Sequence, residues 1–466
     1  MGTHIANGDP RLSFWLRVRE YAVPPSMIET ATARRGAGDW AGACAAARVD
    51  VDLGLRDVAR AHGRELAARL RADLRHLAPD LLRWHLPRIA PDGLLRPALT
   101  VSLARYEAAG RDGASPLHLV VRTPPARSDA GQRISLGLWD AADPDAGAGS
   151  HPRARPSRRF RLDLHRHLWD ARRSAELRTR SGADLPATGD GAAPPLPEAM
   201  ADTGPDTGHR AVDRWAAEAA RLLRVDRRPA GTVAVRLGAR QRVLLGPVGD
   251  GTGPEAVRIM PAPDDGRVSA LPVLPDAATW VPPDLELLRA GLVEPGLLHP
   301  LVAAALAPGH PPGPPRTAAA AGEPRPVECR GERHRIGLVD GVLTALDHDP
   351  GEVRREELLA ALSGTPLPCL RAIDEAHRRP DCLTGVRERL VHGDIAGALA
   401  VVEGLLGPEA VLRGGPLLDE LEAAAGRRIA YGLFRAGLSG PGPRPLRPGP
   451  PRPRGHRSHP RHTTGR

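Results

Sequence analysis

The stretch "RRGAGDWAGACAAA" (34–47) returns far along the chain, in register, as "RLVHGDIAGALAVV" (389–402). Read as Gly-x-Gly-x-x-Ala, the first copy is a weak form of the dinucleotide fingerprint, which needs a buried strand before it and a helix start after it. The preceding "SMIETATARR" reads as helix, and no acidic residue closes a second strand at a suitable distance. A turn between two helices accounts for each residue instead. Gly38 takes the left-handed conformation that ends one helix, and Asp39 caps the next by accepting from its free N–H groups. Trp40, Ala43, Cys44 and Ala47 then form one apolar stripe. Gly393 and Asp394, followed by Ile395, Ala398, Leu399 and Val402, repeat the arrangement. No cofactor is expected at either place.

These turns resemble those of tetratricopeptide-type helical hairpins, where a Gly-Asp pair precedes an aromatic residue and an Ala. An array needs about three or more stacked units, and the chain offers two distant ones. As a whole, through "VPPSMIETATARR", "GDWAGACAAA", "LAPDLLRWHLPR" and "LDHDPGEVRREELLAALSG", the chain resembles a family of high-GC actinobacterial proteins. No activity is attached to that family, so the resemblance implies none.

Outward from the first turn, Leu66, Leu70, Leu74 and Leu77 mark an amphipathic helical run from Leu55 to Leu77. Short alternating segments at 100–106, 117–122 and 133–139 predict an antiparallel meander. "FRLDLHRHLWDARRSAELRTR" (160–180) predicts a basic helix. A periodic helix at 211–225 precedes strands at 232–238, 242–248 and 256–260, and Asp340-Gly341 predicts a tight hairpin turn. The expected fold is α+β and multi-domain, mainly helical with small antiparallel sheets and Pro-rich linkers. Its organisation is a helical region with meander and basic helix over 21–181, including a loop at 141–157. A linker (182–208), an α+β middle domain (209–307) and a Pro-rich linker (308–324) follow. A hairpin-plus-helical domain (325–436) and a disordered basic tail (437–466) complete it. Residues 1–20 read as an extended leader.

All 65 basic residues are arginine, so Schiff-base lysine, kinase-type and Walker A chemistry are excluded. The net charge of +10 divides into +7 over 151–180, +7 over 439–466 and −4 elsewhere, since 10 − 14 = −4. Arg158, Arg159, Arg166, Arg172 and Arg173, with Trp169 among them, form a candidate binding surface for phosphates or acidic partners. Four cysteines (Cys44, Cys329, Cys369, Cys382) make no disulfide framework. No signal peptide or membrane span is apparent, so a cytoplasmic setting is expected.

Candidate chemistry is sparse. Cys369, His377 and Cys382 are spaced C-x7-H-x4-C, which matches no zinc pattern, and Cys369 is expected as a buried apolar residue. His165 and His167 would point apart on a helix. Asp347 and Asp349 in "LDHDP" could hold a divalent metal, although Asp349 before Pro350 also reads as a helix cap. The Gly-rich "GPVGDGTGPEA" (246–256) reads as a hairpin loop rather than a phosphate cradle. The expected function is a non-enzymatic protein–protein interaction or scaffold protein. Arg-mediated nucleic-acid binding through 151–180 and the tail is the first alternative. A divalent-metal hydrolase using Asp347 and Asp349 is the second.

Overall fold

The computed structural model describes residues 9–438 apart from 108–115, 129–130, 144–150, 185–208, 229, 239–240, 248–256, 264–266, 311–324, 330, 341, 364–366, 379–382, 409–411 and 413. The expected tail from 439 on, residues 185–208 and 311–324 of the two expected linkers, residues 144–150 of the loop at 141–157 and 248–256 of the loop at 246–256 therefore lie outside the described residues, as do Gly341 and Cys382.

Helix α1 (Pro10–Arg17) starts where a leader was expected. The Asp9 carboxylate accepts from the N–H groups of Arg11 and Leu12, and Pro10 supplies the preset φ of a first helical position. Leu12, Phe14, Trp15 and Leu16 pack on the main core, and the chain continues through a π-helical turn at Val18–Ala22. Helices α2 (Pro25–Gly36) and α3 (Trp40–Ala46) form the first Gly-Asp hairpin. Gly38 has φ +79°, and Asp39 accepts from the Gly42 N–H at 2.8 Å, as the sequence predicts. The run expected from Leu55 to Leu77 is broken. Gly63, at φ +91°, separates α4 (Leu55–His62) from α5 (Arg64–His76), whose Leu66, Leu70 and Leu74 are buried. Helix α6 (Pro79–His85) follows.

Strands β1 (Val49–Val51), β4 (Thr100–Tyr106), β5 (Leu117–Arg122) and β6 (Ile134–Asp140) form a sheet of order β1-β6-β5-β4, beside a small hairpin of β2 (Arg88–Ile89) and β3 (Leu94–Leu95). The meander is antiparallel as expected, but β1 adds a parallel edge through Val49–Ile134 and Val51–Leu136. Three residues are too few to show a period.

The basic helix is a correction. Residues 160–175 form turns with 3-10 segments at Arg166–Leu168 and Ala171–Arg173, and only α7 (Glu176–Ser181) is helical. Local and tertiary partners outcompete the helix ladder. Asp170 accepts from the Arg172 N–H at 3.1 Å, Asp163 N–H donates to Ser102 O at 2.8 Å, and Ala78 N–H donates to Trp169 O at 2.8 Å.

Helix α8 (Val212–Val225) lays Trp215, Ala219 and Leu222 on an antiparallel sheet of β7 (Val233–Arg236), β8 (Arg242–Pro247) and β9 (Val257–Pro261). Helices α9 (Asp276–Thr279), α10 (Pro283–Arg289) and α11 (Pro300–Leu306) lead back to the first core. That core joins residues from Val18 to Leu177 with Leu287, Val293, Leu298, Val302 and Ala305.

The last stretch holds β10 (Arg325–Cys329), β11 (Glu332–Val339) and β12 (Val342–Ala345), an antiparallel sheet in chain order. Helices α12 (Pro350–Ser363), α13 (Pro368–Arg378), α14 (Leu383–Val391), α15 (Ile395–Leu406) and α16 (Pro416–Arg435) follow. The β11–β12 turn is tight, with Asp340 at φ +50°. In the second Gly-Asp turn Gly393 has φ +81°, and Asp394 accepts from the Gly397 N–H at 3.2 Å.

The two Gly-Asp hairpins meet. Arg48, directly after α3, donates to the His392 carbonyl at 2.6 Å and to the Asp394 carboxylate at 3.3 Å. Beside this contact the backbones of Gly131 and Gly393 touch, with no room for a side chain between them. Among the described residues no helix is long and apolar enough to cross a membrane.

Candidate binding cleft

A cleft of about 440 Å³ lies where α1, the end of α6, the turns at 159–168 and the α9–α10 corner converge. Its walls are apolar: Phe14 and Trp15 from α1, and Leu86, Leu162 and Leu168 opposite. Its rim is cationic, with Arg11, Arg88, Arg96, Arg159 and Arg161 from four separate parts of the chain. Arg11 lies over the Trp280 ring at 5.2 Å and Arg159 over Phe160 at 5.0 Å. Aromatic faces thus hold guanidinium groups in place on an apolar surface.

Most rim arginines already have carboxylate partners. Arg11 donates to Glu286 at 3.0 Å, Arg161 to Asp163 at 2.8 Å and Asp226 at 3.0 Å, and Arg159 to Asp276 at 2.6 Å. Arg88 is different. It donates to the carbonyls of Gly93 (2.7 Å) and Arg83 (2.8 Å), and among the described residues no carboxylate faces it. Its Nε–H is buried without a partner, and burial pushes its pKa down to about 9. The Trp15 Nε1–H and the His85 Nε2 are also buried and unpartnered. Burial first, then the nearby His299 and Arg88, push His85 down to about 3, so its ring is neutral at physiological pH.

Behind Arg159 lies a second recess of about 320 Å³, lined by Arg158, Arg159, Arg236 and Arg242 among others. Burial lowers the Arg236 pKa, and repulsion from Arg159 and Arg242 adds to it. Burial raises the Asp276 pKa, against the pull of Arg159, Arg236 and Arg96. Several guanidinium groups thus gather around Asp276, which makes the region electropositive.

The sequence candidates scatter. Arg158 is exposed at the recess and Arg159 joins recess and cleft. Trp169 is fully buried beneath Arg166 and offers no surface for stacking. Arg166 and Arg172 both bind Asp73 and Asp170, and Arg173 binds Glu176 at 2.5 Å. Asp73 and Asp170, both buried, offset the charge of Arg166 and Arg172, whereas the Arg173–Glu176 pair lies at the surface. His165 and His167 come together instead of pointing apart, at 5.8 Å between ring centroids, because the segment is not helical. Asp347 accepts from the Arg335 backbone N–H, Nε and Nη2 at 2.7, 3.1 and 2.8 Å, while Asp349 caps α12 through Glu352 N–H at 3.1 Å. The structure engages the two carboxylates separately. Gly38, Asp39, Gly393 and Asp394 serve as turn residues.

Arg88, Arg96, Arg236 and Arg242 come from separate stretches, none of them as rich in arginine as 151–180, and sequence reading does not single them out. Compared with protein-family models, curated proteins and solved structures, the chain gives no match.

Proposed function

We propose that this is a non-catalytic binding protein whose arginine-rimmed cleft receives an acidic segment of a protein partner. An apolar side chain of that segment enters against Trp15 and Leu162, and its carboxylates meet Arg88 and Arg96. The observation that carries this reading is Arg88, a half-buried cation whose Nε–H is buried and unpartnered, held by two carbonyls with no carboxylate facing it among the described residues. An unpaired buried charge costs stability, and an incoming anion relieves that cost. The cleft volume falls within the usual range of ligand sites. His85 is too weak a base to serve as a proton acceptor. The nucleic-acid alternative draws less support, because Arg166, Arg172 and Arg173 of its stretch are paired internally.

The test is a titration with short Asp/Glu-rich peptides carrying one Leu or Phe, followed by the fluorescence of Trp15 and Trp280 in the cleft. A charge-neutral peptide series and a single-stranded oligonucleotide serve as competitors. Arg88→Met and Arg96→Ser should each weaken peptide binding about tenfold, the equivalent of losing one charge-assisted hydrogen bond. Binding should also weaken as salt rises. Acidic peptides that bind no better than neutral ones, or variants that keep full affinity, would refute the proposal.

A further inference from the structure

Among the described residues, one group of three side chains has the composition and spacing to hold a metal ion: Cys329, His348 and Cys369. It is remote in sequence from the cleft residues and does not depend on the reading above. Cys329 ends β10, His348 lies in the turn after β12, and Cys369 sits in the first turn of α13. Their ligand atoms all lie within 4.8 Å of one another. Zinc with sulfur bonds of about 2.3 Å and nitrogen bonds of about 2.0 Å spaces its tetrahedral ligands about 3.3–3.8 Å apart. Small side-chain movements therefore close the site.

Three further observations point to a ligand. Both cysteines are 1% exposed, and the Nε2 of His348 is buried with no hydrogen-bond partner. A buried polar nitrogen left unpaired is costly and calls for an explanation. The ring is also held in place. His334 stacks on it at 4.2 Å between centroids and 14° between planes, and the preceding Asp347 is tied to Arg335 by the three bonds described above. Finally, the cluster lies in a small satellite core, with Ile336, Ala345 and Leu367 as its other fully buried members. So small an apolar core gains much from a metal cross-link.

We propose that Cys329, Cys369 and His348 bind a zinc ion that ties the β10–β12 sheet to helix α13, with a water molecule as fourth ligand. Two thiolates neutralise the dication, which suits the burial, and soft sulfur donors favour zinc over magnesium or calcium.

The test uses the full chain purified under reducing conditions without chelator. Metal analysis should find stoichiometric zinc. After zinc removal, added cobalt(II) should give thiolate-to-metal charge transfer and the visible bands of a tetrahedral ion. His348→Gln, a change at a half-buried ring, should weaken zinc binding at least about tenfold while the chain stays folded. Cys369→Ser should remove the charge-transfer band. The native chain alone keeps the test decisive if Cys369→Ser does not fold. Substoichiometric zinc together with no cobalt charge transfer would overturn the proposal, and so would a Cys329–Cys369 disulfide in the freshly isolated protein.

Discussion

Gly38 and Gly393 occupy the same place in the same motif, with φ of +79° and +81°, yet their surroundings differ. A Cβ at Gly38 meets open space, whereas at Gly393 it lies 2.0 Å from the Gly131 carbonyl oxygen. Gly38→Ala therefore incurs only the left-handed backbone penalty of about 1–2 kcal/mol. Gly393→Ala incurs that penalty and also forces the turn away from Gly131. The movement breaks the Arg48 bonds to His392 and Asp394, each worth about 1.5–3 kcal/mol as charge-assisted contacts. The sum is about 4–8 kcal/mol. Hydrogen exchange read by mass spectrometry resolves this locally. Peptides covering 383–406 should lose protection by about a thousandfold or more in Gly393→Ala, since about 1.4 kcal/mol is a factor of ten. Peptides covering 25–47 should lose about tenfold in Gly38→Ala, with 383–406 unchanged. Equal losses in the two variants would refute the claim that contact with Gly131, rather than the turn itself, makes position 393 intolerant.

Glu218 is buried; burial alone would raise its pKa, but the His165 ring 3.4 Å away and the hydrogen bonds from Arg180 prevail and lower it to about 2. Its folded pKa lies below the unfolded value, so its contribution is present above about pH 4.5 and is lost as pH falls towards 2. At about 1.4 kcal/mol per unit this amounts to about 3 kcal/mol, and Glu218→Gln should flatten the stability profile in that window when followed by denaturant titration. Burial pushes His392 down to about 3. The unfolded chain therefore binds the proton more readily, and stability conferred by the neutral ring should decline as pH falls from about 6.5; a profile unchanged in His392→Phe would contradict this. Asp170, with no exposed surface, joins Arg166 and Arg172, and Asp170→Asn should cost about 3–5 kcal/mol by leaving two guanidinium groups short of a partner. Leu70→Ala, in the fully buried face of α5, should cost about 2–5 kcal/mol in the same assay.

Features with a local cause were legible in the sequence. Gly38-Asp39 and Gly393-Asp394 form the predicted capped turns, the three meander strands pair as expected, and the α+β class holds. What failed was decided at a distance. Arg166 and Arg172 read as a free basic face, but Asp73, more than ninety residues earlier, pairs with both. Gly63 breaks the run expected from Leu55, and the leucines at helical spacing all lie after it. The cleft assembles single arginines from separate segments, and no spacing rule links Arg88 to Arg159. Cys329, His348 and Cys369 likewise carry no compact spacing, because a hairpin and a helix start bring them together.

The first core has a consequence for how the chain is made. Residues 18–177 leave the ribosome well before Leu287, Val293 and Ala305, which complete their packing. Through all that intervening synthesis the early helices have an apolar face with nothing to cover it. A fragment ending near residue 208 should therefore be sticky and prone to chaperone capture, whereas one extended past Leu306 should not. The last short helices of this stretch act as a closing clasp, and the region cannot be divided near residue 208 without undoing it.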